Sequence, residues 1–139
     1  MCTPLYRTMK RLGRRGAFLM SVGLAWVGLG YSILSTPAPP AQVTGLTVIL
    51  SVMPLHGWGL VWLTAGLIGI ACCGVQQVGR DQVGFVSLAF PTAAWSAGYL
   101  ADWIFIGGYP RGWVTATIYA ALTASVVIAA GWPEVRRRG

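Results

Sequence analysis

The chain has 139 residues, 55% of them hydrophobic and only 9% charged, with a mean hydropathy of +0.65 and a net charge of +7. A soluble domain carries about a quarter charged residues, so this composition excludes a water-facing surface and indicates an integral membrane protein. The positive excess would suit nucleic acid in a soluble chain; here the placement of the charges points to membrane orientation, and no nucleic-acid partner is expected.

In chain order, residues 1–15, MCTPLYRTMKRLGRR, form a basic arm with Arg7, Lys10, Arg11, Arg14 and Arg15 and no acid. The run 16–34 that follows has no charge. At about 1.5 Å per residue it spans roughly 29 Å, the thickness of a bilayer core. Arm and run together have the layout of a secretory signal. The run is longer than the usual signal core and STPAPPA places prolines in the cleavage zone, so it is read as a retained first helix.

Residues 35–42, STPAPPAQ, are expected to form an extended loop because Pro37, Pro39 and Pro40 oppose a helix. The next segment, 43–53, is too short to span. Its Leu46, Ile49, Leu50 and Met53 recur at helical spacing, with Thr44, Thr47 and Ser51 on another face. This pattern predicts a short amphipathic helix at the membrane interface, with a re-entrant segment as the alternative.

The second span is expected at 57–75, with Trp58 and Trp62 as interfacial rings. A polar linker, 76–82, leads to the third span, 83–103, which Pro91 is expected to kink. The loop IFIGGYPRG, 104–112, precedes the fourth span, 113–132, with tryptophans at both ends, and a basic tail, 133–139, ends the sequence. With a cytoplasmic N-terminus, nine of the ten Lys and Arg residues fall inside and only Arg111 outside. One assignment thus satisfies the positive-inside rule at every segment outside the membrane. The expected fold is an all-α integral membrane protein: one four-span domain over 16–132, an interfacial helix between the first two spans, and both termini in the cytoplasm.

Small residues mark the faces where membrane helices can approach. Ala65, Gly69 and Cys73 form such a ladder in the second span, and Thr117, Ala121, Ser125 and Ala129 in the fourth. Ala93, Ala97 and Ala101 do so in the third. The first span holds Gly23, Gly28 and Gly30 without a four-residue repeat. These ladders serve either packing within a monomer or self-association.

Chemistry-bearing residues are sparse. Asp102 is the one acid in or beside a span, and an ionisable residue there is a functional candidate because burial in the membrane is costly. Its position near the end of the third span favours an interfacial ion pair with Arg111 across the outer loop. His56, the single histidine, is read as interfacial. Cys2, Cys72 and Cys73 complete no metal set. No nucleophile elbow, zinc-binding helix, phosphate loop or paired carboxylates are found, so no catalytic residue, cofactor or metal is expected and the chain is read as non-enzymatic.

A tiny chain with several spans, cytoplasmic ends, no catalytic set and a basic tail resembles the holins, the small membrane proteins of phage lysis cassettes. That resemblance implies accumulation in the cytoplasmic membrane, self-association, and lesions that release an endolysin during host cell lysis. Two candidate starts, Met1 and Met9, separated by the basic Arg7, fit the paired starts of some holins. The stretch 107–134, which holds GYPRGW and AAGWPE, also resembles small membrane proteins of actinobacteria and their phages. The rival expectations are an accessory or scaffold protein beside a larger membrane partner and a small multidrug-type transporter. The transporter class carries an embedded Glu in its first helix, which the run 16–34 does not contain.

Overall fold

The computed structural model describes residues 4–37, 39–74, 79 and 81–133, with side chains from residue 12 onward except 41 and 42. Cys2, the side chains of Arg7, Met9, Lys10 and Arg11, and all of Arg80, Glu134, Arg136, Arg137 and Arg138 lie outside the described residues. The helices are α1 (Pro4–Ser35), α2 (Pro40–Thr44), α3 (Thr47–Val52), α4 (Leu55–Cys72), α5 (Gln82–Phe105) and α6 (Gly112–Ala130). Four stretches, Leu12–Ser35, Leu55–Cys72, Gln82–Phe105 and Gly112–Ala130, are long and apolar enough to cross a membrane. The all-helical, four-span reading of the sequence therefore holds.

A break divides α1 where the basic arm meets the first span: the helix that begins at Pro4 is non-helical at Gly13, where φ is +71°, and the span runs Leu12–Ser35. Glycine accepts that left-handed conformation without strain. Pro40 does not extend the loop but opens α2, because the first helical turn needs no proline N–H. The helix expected over 43–53 is divided at Gly45 and Leu46 into α2 and α3. The predicted faces of this segment are right: Leu46 and Ile49 are buried, Thr47 and Ser51 exposed. The apolar face, however, turns into the bundle and meets α5, where a Cβ on Gly98 would come within 2.8 Å of Ile49.

The spans pack as a sequence of neighbours, α1 on α4, α4 on α5 and α5 on α6, with little contact between α1 and α6. The α1–α4 seam is built on a seven-residue repeat. Gly16, Gly23 and Gly30 of α1 face Cys73, Gly66 and Gly59 of the antiparallel α4 segment. A Cβ on Gly66 would lie 2.5 Å from the Gly23 carbonyl oxygen, and one on Gly30 2.7 Å from that of Gly59. The backbones approach so closely that side chains are excluded, which is how membrane helices gain dispersion contact where lipid offers no hydrophobic drive. A seven-residue repeat keeps such a seam on one face of each helix.

At mid-bundle lies an aromatic core. The Trp62 ring is 5.1 Å from that of Trp26 and 5.2 Å from that of Trp95, both edge to face. Edge-on packing aligns the positive ring edge with a negative face. Trp62 was expected at the interface; it is instead completely buried, because its helical face is the one that meets α1 and α5. Pro91 lies within α5 and brings no N–H to the helix ladder. One turn away, the Trp26 indole donates to the Leu88 carbonyl at 3.0 Å. A neighbouring helix thereby supplies a donor where the proline disturbs the backbone.

Candidate functional site

The two ends of the bundle carry its charged groups. At one end, where α1 begins its span, α5 starts and α6 finishes, Arg15 closes a clasp. Its Nε donates to the Asp81 carboxylate at 2.7 Å, with the side chains 16% and 6% exposed. Its terminal nitrogen donates to the Trp132 carbonyl at 3.1 Å. The guanidinium also stands 5.1 Å over the Phe85 ring, and Phe18 packs against both Phe85 and Trp132. A cation at the end of α6 suits the unsatisfied carbonyls of a helix C-terminus. Three spans are tied by one side chain. Sequence reading assigned Arg15 to the arm and Asp81 to a linker; the available signal was that both fall on the same side of the membrane and that Asp81 is the lone described acid there.

The opposite end holds Asp102 in the last turn of α5. Its carbonyl accepts from the N–H groups of Ile106 and Gly107, at 2.9 and 2.8 Å, and Gly107 has a φ of +68°. This is a glycine-terminated helix end. The side chain is 0% exposed and neither carboxylate oxygen has a hydrogen-bond partner. The expected ion pair with Arg111 is not formed. Arg111 is exposed, and its contribution is main-chain: its carbonyl accepts from Val114 and Thr115 at the start of α6. The physical reason is direction. Asp102 shares a helix face with Gly98 and Tyr99, and that face turns inward to α3 and the 107–109 loop, away from the exposed side of the hairpin.

Tyr99 joins this end to the aromatic core. Its ring is stacked on Tyr119 at 5.9 Å and tilted against Tyr109 at 6.3 Å. A Cβ on Gly45 would lie 2.5 Å from the Tyr99 ring, and one on Gly108 would touch Thr44. The α2–α3 turn and the 107–109 loop thus cover the region together. His56, at the start of α4, is exposed.

The small-residue ladders divide. Ala65 and Gly69 are buried; a Cβ on Gly69 would meet Leu88 of α5 at 3.0 Å, whereas the Cys73 carbonyl faces Gly16 of α1. In α6 only Ala129 of the predicted ladder is buried, while Thr117, Ala121 and Ser125 are exposed. The contacts of α6 with α5 come from other positions: Ser96 donates to the Ala116 carbonyl at 2.8 Å and Thr123 to Thr92 at 2.9 Å. Beside that seam an open apolar groove of about 580 Å³ runs past Ala93, Ala97, Ala120 and Ala124. Among the described residues no three His, Cys, Asp or Glu side chains gather in a metal-binding group. Compared with known proteins, the chain matches no family, no curated protein and no solved structure.

Proposed function

We propose that the chain is a non-enzymatic, self-associating component of the cytoplasmic membrane, with both termini inside, whose assembled form permeabilises that membrane in the manner of holins. The observation that supports assembly is the outward face of α6. This helix is the least buried of the four spans, and Thr117, Ala121 and Ser125 lie exposed along it. The Thr117 and Ser125 hydroxyls bond to carbonyls of their own helix, at 2.8 and 2.7 Å, so the face can meet a second helix without stranded donors.

The test separates assembly from permeabilisation. Cysteine cross-linking at Ala121 in native membranes reports assembly, and a potential-sensitive dye reports the membrane. The expected results are a cross-linked dimer or larger species and an abrupt loss of potential after induction, both suppressed by Thr117→Leu with Ser125→Leu. Absence of cross-linking refutes assembly.

Assembly with intact potential and continued growth supports the second reading, an accessory protein beside a larger membrane partner. That reading is favoured by the apolar exterior: among described residues 16–133 the Asp, Glu, Lys and Arg side chains are Asp81, Asp102 and Arg111 alone, and both acids are buried. A water path would then have to be lined by hydroxyls.

A further inference from the structure

Between α4 and α5 an open groove of about 580 Å³ lies on the side of α4 away from α1: Val61 and Ile68 line it, whereas Gly59 and Gly66 face α1. Its other walls are Ala65 of α4 and Val83, Val86 and Phe90 of α5. Ile68, Val83, Val86 and Phe90 are 41–69% exposed, so the groove is apolar surface that the chain itself leaves uncovered. The hydroxyls beside it are already used. Thr64 donates to the Leu60 carbonyl and Ser87 to that of Gly84, each at 2.8 Å. An apolar occupant therefore strands no donor.

Length distinguishes between occupants. From Val61 to Ile68, and from Gln82 to Phe90, the groove runs about 10–12 Å at the helical rise. That is most of one leaflet, since half of a hydrocarbon core is about 15 Å. A helix–helix seam is longer: Gly16 to Gly30 on α1 covers about 21 Å. The groove is also polar at one end only. Gly79 and Gln82 line it where α5 begins, and Arg80 lies between them in the sequence. Asp81 is held by Arg15 at 2.7 Å, so Arg15, Arg80 and Asp81 bring two cations against one acid to this end. An apolar trough one leaflet deep with a basic rim has the layout of a lipid, tail and headgroup.

We propose that the groove is a binding site for one anionic phospholipid. An acyl chain lies along Val61, Ile68, Val86 and Phe90, and the headgroup phosphate stays at the linker that carries Arg80. The site is built from α4 and α5, apart from the α6 face proposed for assembly, and it stands whether or not copies associate. One cation near a headgroup is worth about fivefold in affinity.

Native mass spectrometry of the full chain in detergent, titrated with phosphatidylglycerol or with phosphatidylcholine of the same chains, reads the site. One tightly held phosphatidylglycerol is expected, in preference to phosphatidylcholine. Arg80→Gln should lower that preference about fivefold. Val86→Trp, which fills the groove from a lipid-facing position, should remove the bound lipid of either kind, while Ile118→Trp on α6 should not. Equal affinity for the two lipids, or a preference unchanged by Arg80→Gln, overturns the anionic assignment. Binding unchanged in folded Val86→Trp overturns the groove as the site. A second measurement needs no variant: phosphatidylglycerol with a photoreactive acyl chain, in nanodiscs, should label residues 61–68 and 82–90 above all others. Labelling spread evenly over the exposed faces of all four spans means annular lipid only and refutes the proposal. So does a Val86→Cys chain that forms a disulfide with a second copy in place of retaining lipid, since the occupant is then another copy of this chain.

Discussion

Replacing Arg15 by methionine tests the claim that one side chain fastens three spans. The substitution retains apolar bulk against Phe85 and removes the guanidinium. It strands Asp81, whose side chain is 6% exposed and whose ion pair is 2.7 Å long. Breaking one partner of a buried pair costs about 3–5 kcal/mol, because a sealed charge is left without compensation. Arg15 itself keeps 16% of its surface, which favours the lower end of that range. The cation–π contact with Phe85 adds about 1 kcal/mol. The hydrogen bond to Trp132 overlaps with both, so a loss of about 3–4 kcal/mol is expected rather than the sum of all parts. Asp81→Leu should cost less, about 1–2 kcal/mol, since a long arginine at a bundle end can reach water along its own stem. The double variant Arg15→Met with Asp81→Leu should come within about 1 kcal/mol of the parent, because a buried ion pair and a well-packed apolar pair differ little in net stability. Reversible unfolding in mixed micelles measures all four proteins. A loss below about 1 kcal/mol for Arg15→Met, or a double variant as unstable as the two single losses added, would refute the reasoning.

Two glycines of the bundle should respond in opposite directions to alanine. Gly66→Ala places a Cβ 2.5 Å from the Gly23 carbonyl oxygen and should destabilise by about 1–3 kcal/mol through overpacking. Gly28→Ala meets nothing within 4 Å and should be neutral or stabilise by up to about 1 kcal/mol through helix propensity; equal effects in the same unfolding assay would remove the case for a close α1–α4 seam. Trp26→Phe keeps a ring beside Trp62 but loses the donor to the Leu88 carbonyl; a cost of about 1 kcal/mol is expected, and no change would show that the Pro91 region needs no outside donor. For orientation, a reporter fused after Gly139 should be active only in the cytoplasm and one inserted at Pro110 only outside. Activity of both on the same side would exclude the fourth crossing.

What the linear chain determined is what depends on composition and order. Four long apolar runs with almost no charge must cross or be buried, so the number of spans and the helical class were legible. The polar and apolar faces of 43–53 were legible for the same reason, since periodicity records which side is covered, though not by what. Direction around a helix axis and the identity of the neighbour belong to the tertiary structure alone. Trp62 reads as an interfacial ring until α1 and α5 enclose it. Asp102 and Arg111 read as partners until the α5 face carrying Asp102 turns inward beneath the α2–α3 turn. The seven-residue spacing of Gly16, Gly23 and Gly30 was visible all along, yet acquires meaning only opposite Gly59, Gly66 and Cys73. Arg15 and Asp81 are 66 positions apart, and no local rule joins them; the folding of α1 beside α5 does. Local patterns specify what each helix can bury, and only the packed bundle decides which charge is fastened and which is sealed alone.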